Sequence, residues 1–481
     1  MKWILSIKFL GIIAIMFLAA KGEASQVTNA HHVFSSETYD CYVNQLQDFI
    51  DLEEKNHPLL ASVLQDQVHT EFQNNAIQLL DMVRKGPDEM TSKKKLEFHK
   101  YMINQLRLVI KLKDEMEICE DELTQNLAQF VNELCVWMYT TPRILKPMQS
   151  FMEDSFETFP VFINQEEWVD QLSTLRDTIE SSGKFDGIIK HFPHIYSAHE
   201  DGDIPSHLYS ILNNTKEIRV IRTPNVNYDF YPHHLSYKLK HDIVPEFITY
   251  LKAFAANGKK HLYVNYIERQ NSDHPESDTI EEMENNPDIN SAISVVSFAR
   301  NSSFYKQSHS SSEDAEEFKS AFMEELFVDP EKGNYYWPRA IDLEQWKVSV
   351  DKILNEVHVN YFSGNKILVK EERQQFIDVA YVKMTEHLIF LLEPDVVNLS
   401  CAVSIDRGPV GFTLLYIDLL LAQKEPIGLE DLQKIATLAY GPGAVVHNRA
   451  MHKHHHERLT GAAERLQKGK LSTNLKLDLR S

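Results

Sequence analysis

An α/β fold is predicted by this sequence, with a helical N-terminal domain ahead of an α/β domain built around a strand–loop–helix core. Three observations predict it. Residues 37 to about 156 carry apolar side chains at three- and four-residue steps. From about residue 215 short β-branched and aromatic runs alternate with helical ones. Near the end, DVVNLSC (395–401), AVSIDRGP (402–409) and VGFTLLYIDLLLAQ (410–423) read as buried strand, turn and helix in immediate succession. A chain of 481 residues, 43% hydrophobic and 10% aromatic, has ample material for roughly two to four domains. A net charge of −21 disfavours nucleic acid as the main partner, because phosphate backbones need clustered Lys and Arg.

Residues 1–24 read as a signal peptide. Lys2 and Lys8 precede an apolar run from Phe9 to Ala20, shorter than the about 20 residues a bilayer span needs, and Gly22-Glu23-Ala24 supplies small residues for cleavage. Export to a periplasmic or extracellular location is the expectation; an uncleaved anchor starting at Trp3 is the alternative. Residues 25–160 form the helical domain, with periodic stretches at 59–83 and 94–140 separated by Lys85-Gly86-Pro87-Asp88. A helical connector is expected over 161–214.

The α/β domain is expected over 215–465. EIRVIRTPNV (217–226), KKHLYVNYIE (259–268) and the start of VVSFARNSSFYKQ (295–307) read as strands. HDIVPEFITYLKAFAANGKK (241–260) is a helix closed at Asn257-Gly258, and Ser310 with Glu313 makes a capping box for the next. The acidic stretch 274–290 is expected as a solvated loop with a short helix. EERQQFIDVAYVKMTEHLIFLLEP (371–394) is an amphipathic helix stopped by Pro394, and Pro409 suits the first position of the helix after the turn.

Of the four cysteines, Cys41, Cys119 and Cys135 fall in the helical region, where an oxidising compartment can pair two of them. Cys119 and Cys135 on one continuous helix would lie about 24 Å apart, too far to bridge, so a pairing with Cys41 is the open possibility. Cys401 is then the odd thiol.

A phosphate at the turn after Cys401 meets unpaired backbone N–H groups and the positive end of the helix dipole, and the same groups favour a thiolate over a thiol. The five residues Ala402, Val403, Ser404, Ile405 and Asp406 are enough to curl round one tetrahedral anion, Gly408 follows, and Arg407 can hold two oxygens bidentately. Asp406 can protonate a leaving oxygen. Cys401-Ala-Val-Ser-Ile-Asp406-Arg407 resembles the signature loop of the cysteine-dependent phosphatases, a Cys, five residues and an Arg. The Asp before the Arg is similar to the subset containing myotubularins, Sac-domain phosphatases and bacterial effector phosphoinositide phosphatases of the SopB and SidP kind. KKHLYVNYIERQ and ISVVSFARNSSFYKQ resemble a strand pair of those effectors. The resemblance implies a phosphatase-like fold for the α/β domain and a cysteinyl-phosphate intermediate formed by Cys401. It also implies stabilisation of the phosphoryl oxygens by Arg407 and the loop amides, with Asp406 as general acid. It implies no cofactor. Two positions depart from the pattern: Gly408 stands where the family has Ser or Thr, and no Lys lies between Cys401 and Arg407.

Trp337-Pro338 with Asp342 offers a second acid, similar to the mobile Trp-Pro-Asp loop of protein tyrosine phosphatases. HNRAMHKHHHERLTGAAERLQKGK (447–470) carries five histidines, and residues 442–481 hold eight Lys or Arg against three acids. A solvated basic helix, a surface including Arg449 and Lys453 that recruits an anionic substrate or membrane, and a metal pair at His452 and His456 are its three readings, and 466–481 is a basic tail. Asn398-Leu-Ser400 is a glycosylation sequon touching the loop. The expected function is phosphomonoester hydrolysis on phosphoinositides or inositol phosphates, by a secreted protein that fits a bacterial effector. Phosphotyrosine is the alternative substrate, and a non-catalytic secreted binder the alternative class.

Overall fold

The computed structural model describes residues 33–478 apart from 58–69, 88–91, 117–120, 159–167, 183–202, 231–239, 271–273, 309–311, 330–332, 424–426, 470–472 and 474. The expected signal peptide, Cys119 and Ser310 lie outside the described residues.

Six helices come first: α1 (Val33–Asn56), α2 (Glu71–Lys85), α3 (Ser92–Glu115), α4 (Glu122–Thr140), α5 (Lys146–Thr158) and α6 (Trp168–Ser182). Their apolar stripes meet one another. Phe49, Phe130 and Trp137 stack between α1 and α4, and Thr70 and Gln73 close a capping box at the start of α2. Gly86, at φ 62°, ends α2 in a backbone conformation that favours glycine.

A six-stranded mixed sheet follows: β1 (Ser206–Asn213), β2 (Lys216–Arg222), β5 (His261–Asn265), β6 (Ile293–Ser297), β7 (Val396–Ser400) and β8 (Leu475–Leu477), in the order β6-β5-β7-β2-β1-β8. β2, β7, β5 and β6 run parallel; β1 and β8 are antiparallel additions at one edge. A separate ribbon pairs β3 (Asn227–Phe230) with β4 (Lys240–Ile243). Every residue of β5 and β7 is buried, as parallel strands covered on both faces require. His261 and Tyr263 meet Phe247 and Tyr250 of α7 (Pro245–Ala256), which in turn packs on Tyr139 of α4 and joins the helical region to the sheet. The remaining helices are α8 (His274–Glu282), α9 (Ser303–Lys306), α10 (Ala315–Leu326), α11 (Leu343–Phe362), α12 (Lys370–Leu392), α13 (Arg407–Gln423), α14 (Leu429–His447) and α15 (Lys453–Lys468).

Several expectations need correction. The helical connector is not helical throughout: residues 206–213 are β1, joined to β2 by a two-residue turn in which Asn214 takes φ 55°. The basic tail contributes β8 to the sheet edge. The acidic stretch is not merely solvated, since Glu281 is buried against Arg269 at 2.8 Å. Asp314 caps α10, so the expected capping box is not used. The last helix after the turn starts at Arg407, with Pro409 in its third position, where its missing N–H still costs nothing. Cys41 and Cys135 are free thiols, and Gln45 donates to the Cys41 sulfur. Among the described residues no helix is long and apolar enough to cross a membrane.

Candidate functional site

Parallel strands deliver their C-terminal ends to one edge of the sheet. Here β7 inserts between β2 and β5, so the crevice at its end lies where the strand order reverses, the place open α/β sheets offer for a ligand. Four segments converge there: Arg222 ending β2, Tyr266 after β5, Arg300 after β6, and the 401–407 loop after β7.

A row of buried polar groups underlies the loop. Asn398 donates to Thr223 Oγ1 at 2.8 Å and its Oδ1 meets His261 Nε2, whose Nδ1 faces the Tyr250 hydroxyl at 2.8 Å. Ser400 Oγ donates to the Thr223 carbonyl at 2.7 Å. Burial holds His261 down to about 4, so the ring is neutral at pH 7. The sequon asparagine is therefore inside the sheet, where a folded chain cannot carry a glycan.

The loop is held from outside through its carbonyls. Asn225 N–H donates to Ala402 O at 3.1 Å. Arg222, fully buried and paired with Asp203, donates to Val403 O at 2.9 Å and Ser404 O at 3.0 Å. A planar trans peptide points each carbonyl and the next N–H in opposite directions. The N–H groups of Val403 and Ile405 thus face away from this clamp. Ser404 takes φ 51°, a left-handed conformation uncommon for a residue with a side chain, and this curls the loop. Its own N–H turns back to Cys401 O. Among the described residues no acceptor meets the N–H of Ala402, Val403, Ile405, Asp406 or Arg407. Cys401 lies at the strand end, 4% exposed. Arg407 is half-buried, and its Nη1 donates to Tyr266 O at 2.9 Å.

Gly408 has a steric reason. A Cβ there would lie 2.4 Å from Ser404 Oγ and 3.0 Å from Leu399 O. The hydroxyl of Ser404 thus fills the space in which a Ser or Thr side chain at 408 would start.

Asp406 departs from the expected acid. Arg449 holds both its oxygens, at 2.9 and 2.7 Å, and His452 N–H adds a third bond at 3.0 Å. Burial alone would push the carboxyl up, but the Arg449 hydrogen bonds and charge outweigh it and hold it below the ordinary aspartate range. Asp406 is thus held as a carboxylate paired with Arg449, an environment that does not favour the proton-donor form, and Arg449 is engaged by it. Asp342 caps α11 by accepting from Glu344 and Gln345 N–H groups, which accounts for it without chemistry.

Nor does the histidine run pair His452 with His456 as metal ligands. Buried His456 uses both ring nitrogens, on Ser173 Oγ at 2.9 Å and the Tyr440 hydroxyl at 3.0 Å. Glu53, His57 and Glu133 of the helical region do bring three ligand atoms within 4.8 Å of one another, a donor set that can hold a divalent cation. The basic surface is also smaller than expected. Arg458 and Arg465 pair with Asp378 and Glu372, and exposed Lys453 and Lys468 each face a Glu four residues away.

No family model, curated protein or solved structure matches this chain. Arg222, Tyr266 and Arg300 were not singled out from sequence. The one signal for the two arginines was their place, a cation closing a buried strand in VIRT and following one in FARN.

Proposed function

We propose that residues 401–407 form an oxyanion cup and that the protein is a Cys-x5-Arg phosphomonoester hydrolase, its α/β domain phosphatase-like, acting on inositol phosphates or phosphoinositides. One observation carries this reading. The loop carbonyls are tied down by Asn225 and Arg222, while five N–H groups of the same loop, which runs from Cys401 to Arg407, have no acceptor among the described residues. Such an arrangement is suited to three phosphoryl oxygens.

Cys401 sulfur, as thiolate, attacks phosphorus. The S–P bond forms as the ester P–O bond breaks, and the equatorial oxygens rest on the loop amides and on the Nε and Nη2 of Arg407. Water then attacks the cysteinyl phosphate, loses its proton to bulk solvent, and returns the thiolate with release of phosphate. Ser404 Oγ stands in for the hydroxyl expected at 408. Because Asp406 is ionised, the departing oxygen takes its proton from water, which favours esters of acidic alcohols. This favours phosphotyrosine as the second reading, since a phenolate leaves with little assistance.

Purified, reduced full-length protein should release phosphate from an aryl phosphate without added metal. Cys401→Ser should abolish release, and Arg407→Ala should lower kcat/KM roughly 100- to 1000-fold, the scale of losing a transition-state donor. Release that survives Cys401→Ser would place the chemistry elsewhere. Anion binding without release would leave a non-catalytic binder.

A further inference from the structure

Beside the loop lies a buried charge imbalance. Asp378, fully buried on α12, accepts from Arg300 Nη1 at 2.8 Å and the Tyr305 hydroxyl at 2.9 Å through one oxygen, and from Arg458 Nε at 2.6 Å through the other. Two guanidinium groups therefore share one carboxylate. Every nitrogen of Arg458 has a partner, its Nη atoms being bound to Tyr305 O and Gln374 O. Arg300 is not. It is 1% exposed, and its Nε and Nη2 have no hydrogen-bond partner. The rings of Tyr266 and Tyr381 lie 4.5 and 5.5 Å from its guanidinium, which eases the charge but accepts no in-plane hydrogen bond. A buried cation with unmet donors is costly unless an anion meets it.

Arg300 lines a cavity of about 600 Å³ together with Lys306, Lys370, His454, His455 and Arg458. Glu371 and Glu457 also line it, both exposed to solvent. The cavity adjoins the cup through two residues. Tyr266 places its ring under Arg300 and its carbonyl on Arg407, and His455 feels the charges of Asp406, Arg407 and Arg300. The only side-chain cation within the cup itself is Arg407, so further negative charge on a substrate must be met from outside the loop.

We infer that this cavity is a second anion subsite, read by Arg300, which takes another phosphate of the molecule whose scissile phosphate lies in the 401–407 loop. The inference rests on the phosphatase reading, and it narrows the substrate to a polyol, free or as a lipid headgroup, that carries at least two phosphates.

Calorimetric titration of the full-length Cys401→Ser protein tests it without turnover. An inositol bisphosphate should bind at least about tenfold tighter than an inositol monophosphate, the scale of one charge-assisted contact. Arg300→Gln should collapse that ratio toward one. Lys306→Ala with Lys370→Ala, at the cavity's solvent side, should lower it as well and guards against a folding defect at Arg300. Vesicles carrying a bisphosphorylated inositol lipid, titrated beside the free headgroup, assign the source: tighter binding to vesicles means a lipid, equal binding a soluble polyol phosphate. Equal affinity for mono- and bisphosphate in the parent protein, or a ratio that both sets of substitutions leave intact, overturns the subsite. Aryl phosphate release by the unsubstituted chain reports on the phosphatase reading separately.

Discussion

Residue 408 shows how closely the loop is fitted to the helix it opens. Gly408→Ala places a methyl group against Ser404 Oγ and the Leu399 carbonyl, and should cost about 1–3 kcal/mol, the range for overpacking a tight site. Because the nearer clash is with a side chain, Ser404→Ala in the same protein should recover part of the loss. A double-mutant cycle by urea denaturation measures the coupling, and strict additivity would mean the two atoms do not meet. Asp406 yields a second prediction. On the proposed phosphatase reading, a carboxylate held by Arg449 gives little help to a phenolate leaving group, so Asp406→Asn should change aryl phosphate kcat less than about tenfold. A loss of a hundredfold or more, with a pH profile shifted on its acidic limb, would restore it as the proton donor. At this scale the sequence exposed what is local: Cys401, the five residues after it and Arg407 are contiguous. It hid the partner of Asp406, since Arg449 lies 43 residues away and its pairing depends on how α14 and α15 pack.

The clamp on the loop belongs to β2. Arg222 joins Asp203 to two loop carbonyls with no exposed surface, so Arg222→Met removes a buried ion pair and the outer support of the cup together. Breaking one side of such a pair costs about 3–5 kcal/mol, and phosphate affinity should fall alongside thermal stability. An Arg222→Met protein with unchanged melting temperature and unchanged phosphate binding would remove the clamp from the account. Strands and helices of the α/β region were largely legible. The sequence bounds for β2, β5, α12 and β7 enclose or nearly coincide with the observed ones, because alternation, continuous apolar runs and a stopping proline are all local signals. β1 and β8 were not legible. β1 sits between β2 and the edge strand β8, and for each the pairing partner rather than a local alternation marks it as a strand.

Across the whole molecule, burial sets the response to acid. His207, His261 and His456 are each held down to about 4, burial being the main cause. Their ordinary value is near 6.5, so between about pH 6.5 and 4 the unfolded chain binds protons that the folded chain refuses. The stability these three rings contribute is therefore full above pH 6.5 and is lost as the pH is lowered. Burial raises Glu53 to about 8 and also raises Glu281, Glu284 and Glu386, which act in the opposite sense. Fully buried His261 alone accounts for roughly 3 kcal/mol by pH 4. By urea midpoints at pH 7, 5.5 and 4.5, the stability of the parent relative to His261→Gln should decline in that order. A parent-minus-variant difference that stays flat over this window would contradict a buried neutral ring at His261. The sequence could not show this, because nothing in the neighbours of a histidine along the chain says which rings fold inward.

The position of β7 in the sheet has a consequence for how the chain is made. Its neighbours β2 and β5 end at residues 222 and 265, yet the strand that fits between them is not synthesised until residues 396–400, and the last edge strand comes at 475–477. A growing polypeptide must therefore leave a slot open at the heart of its sheet until residues 396–400 have been made. Nascent chains stalled before residue 396 should stay protease-sensitive across β2 and β5, and closure of the core waits on residues 396–400.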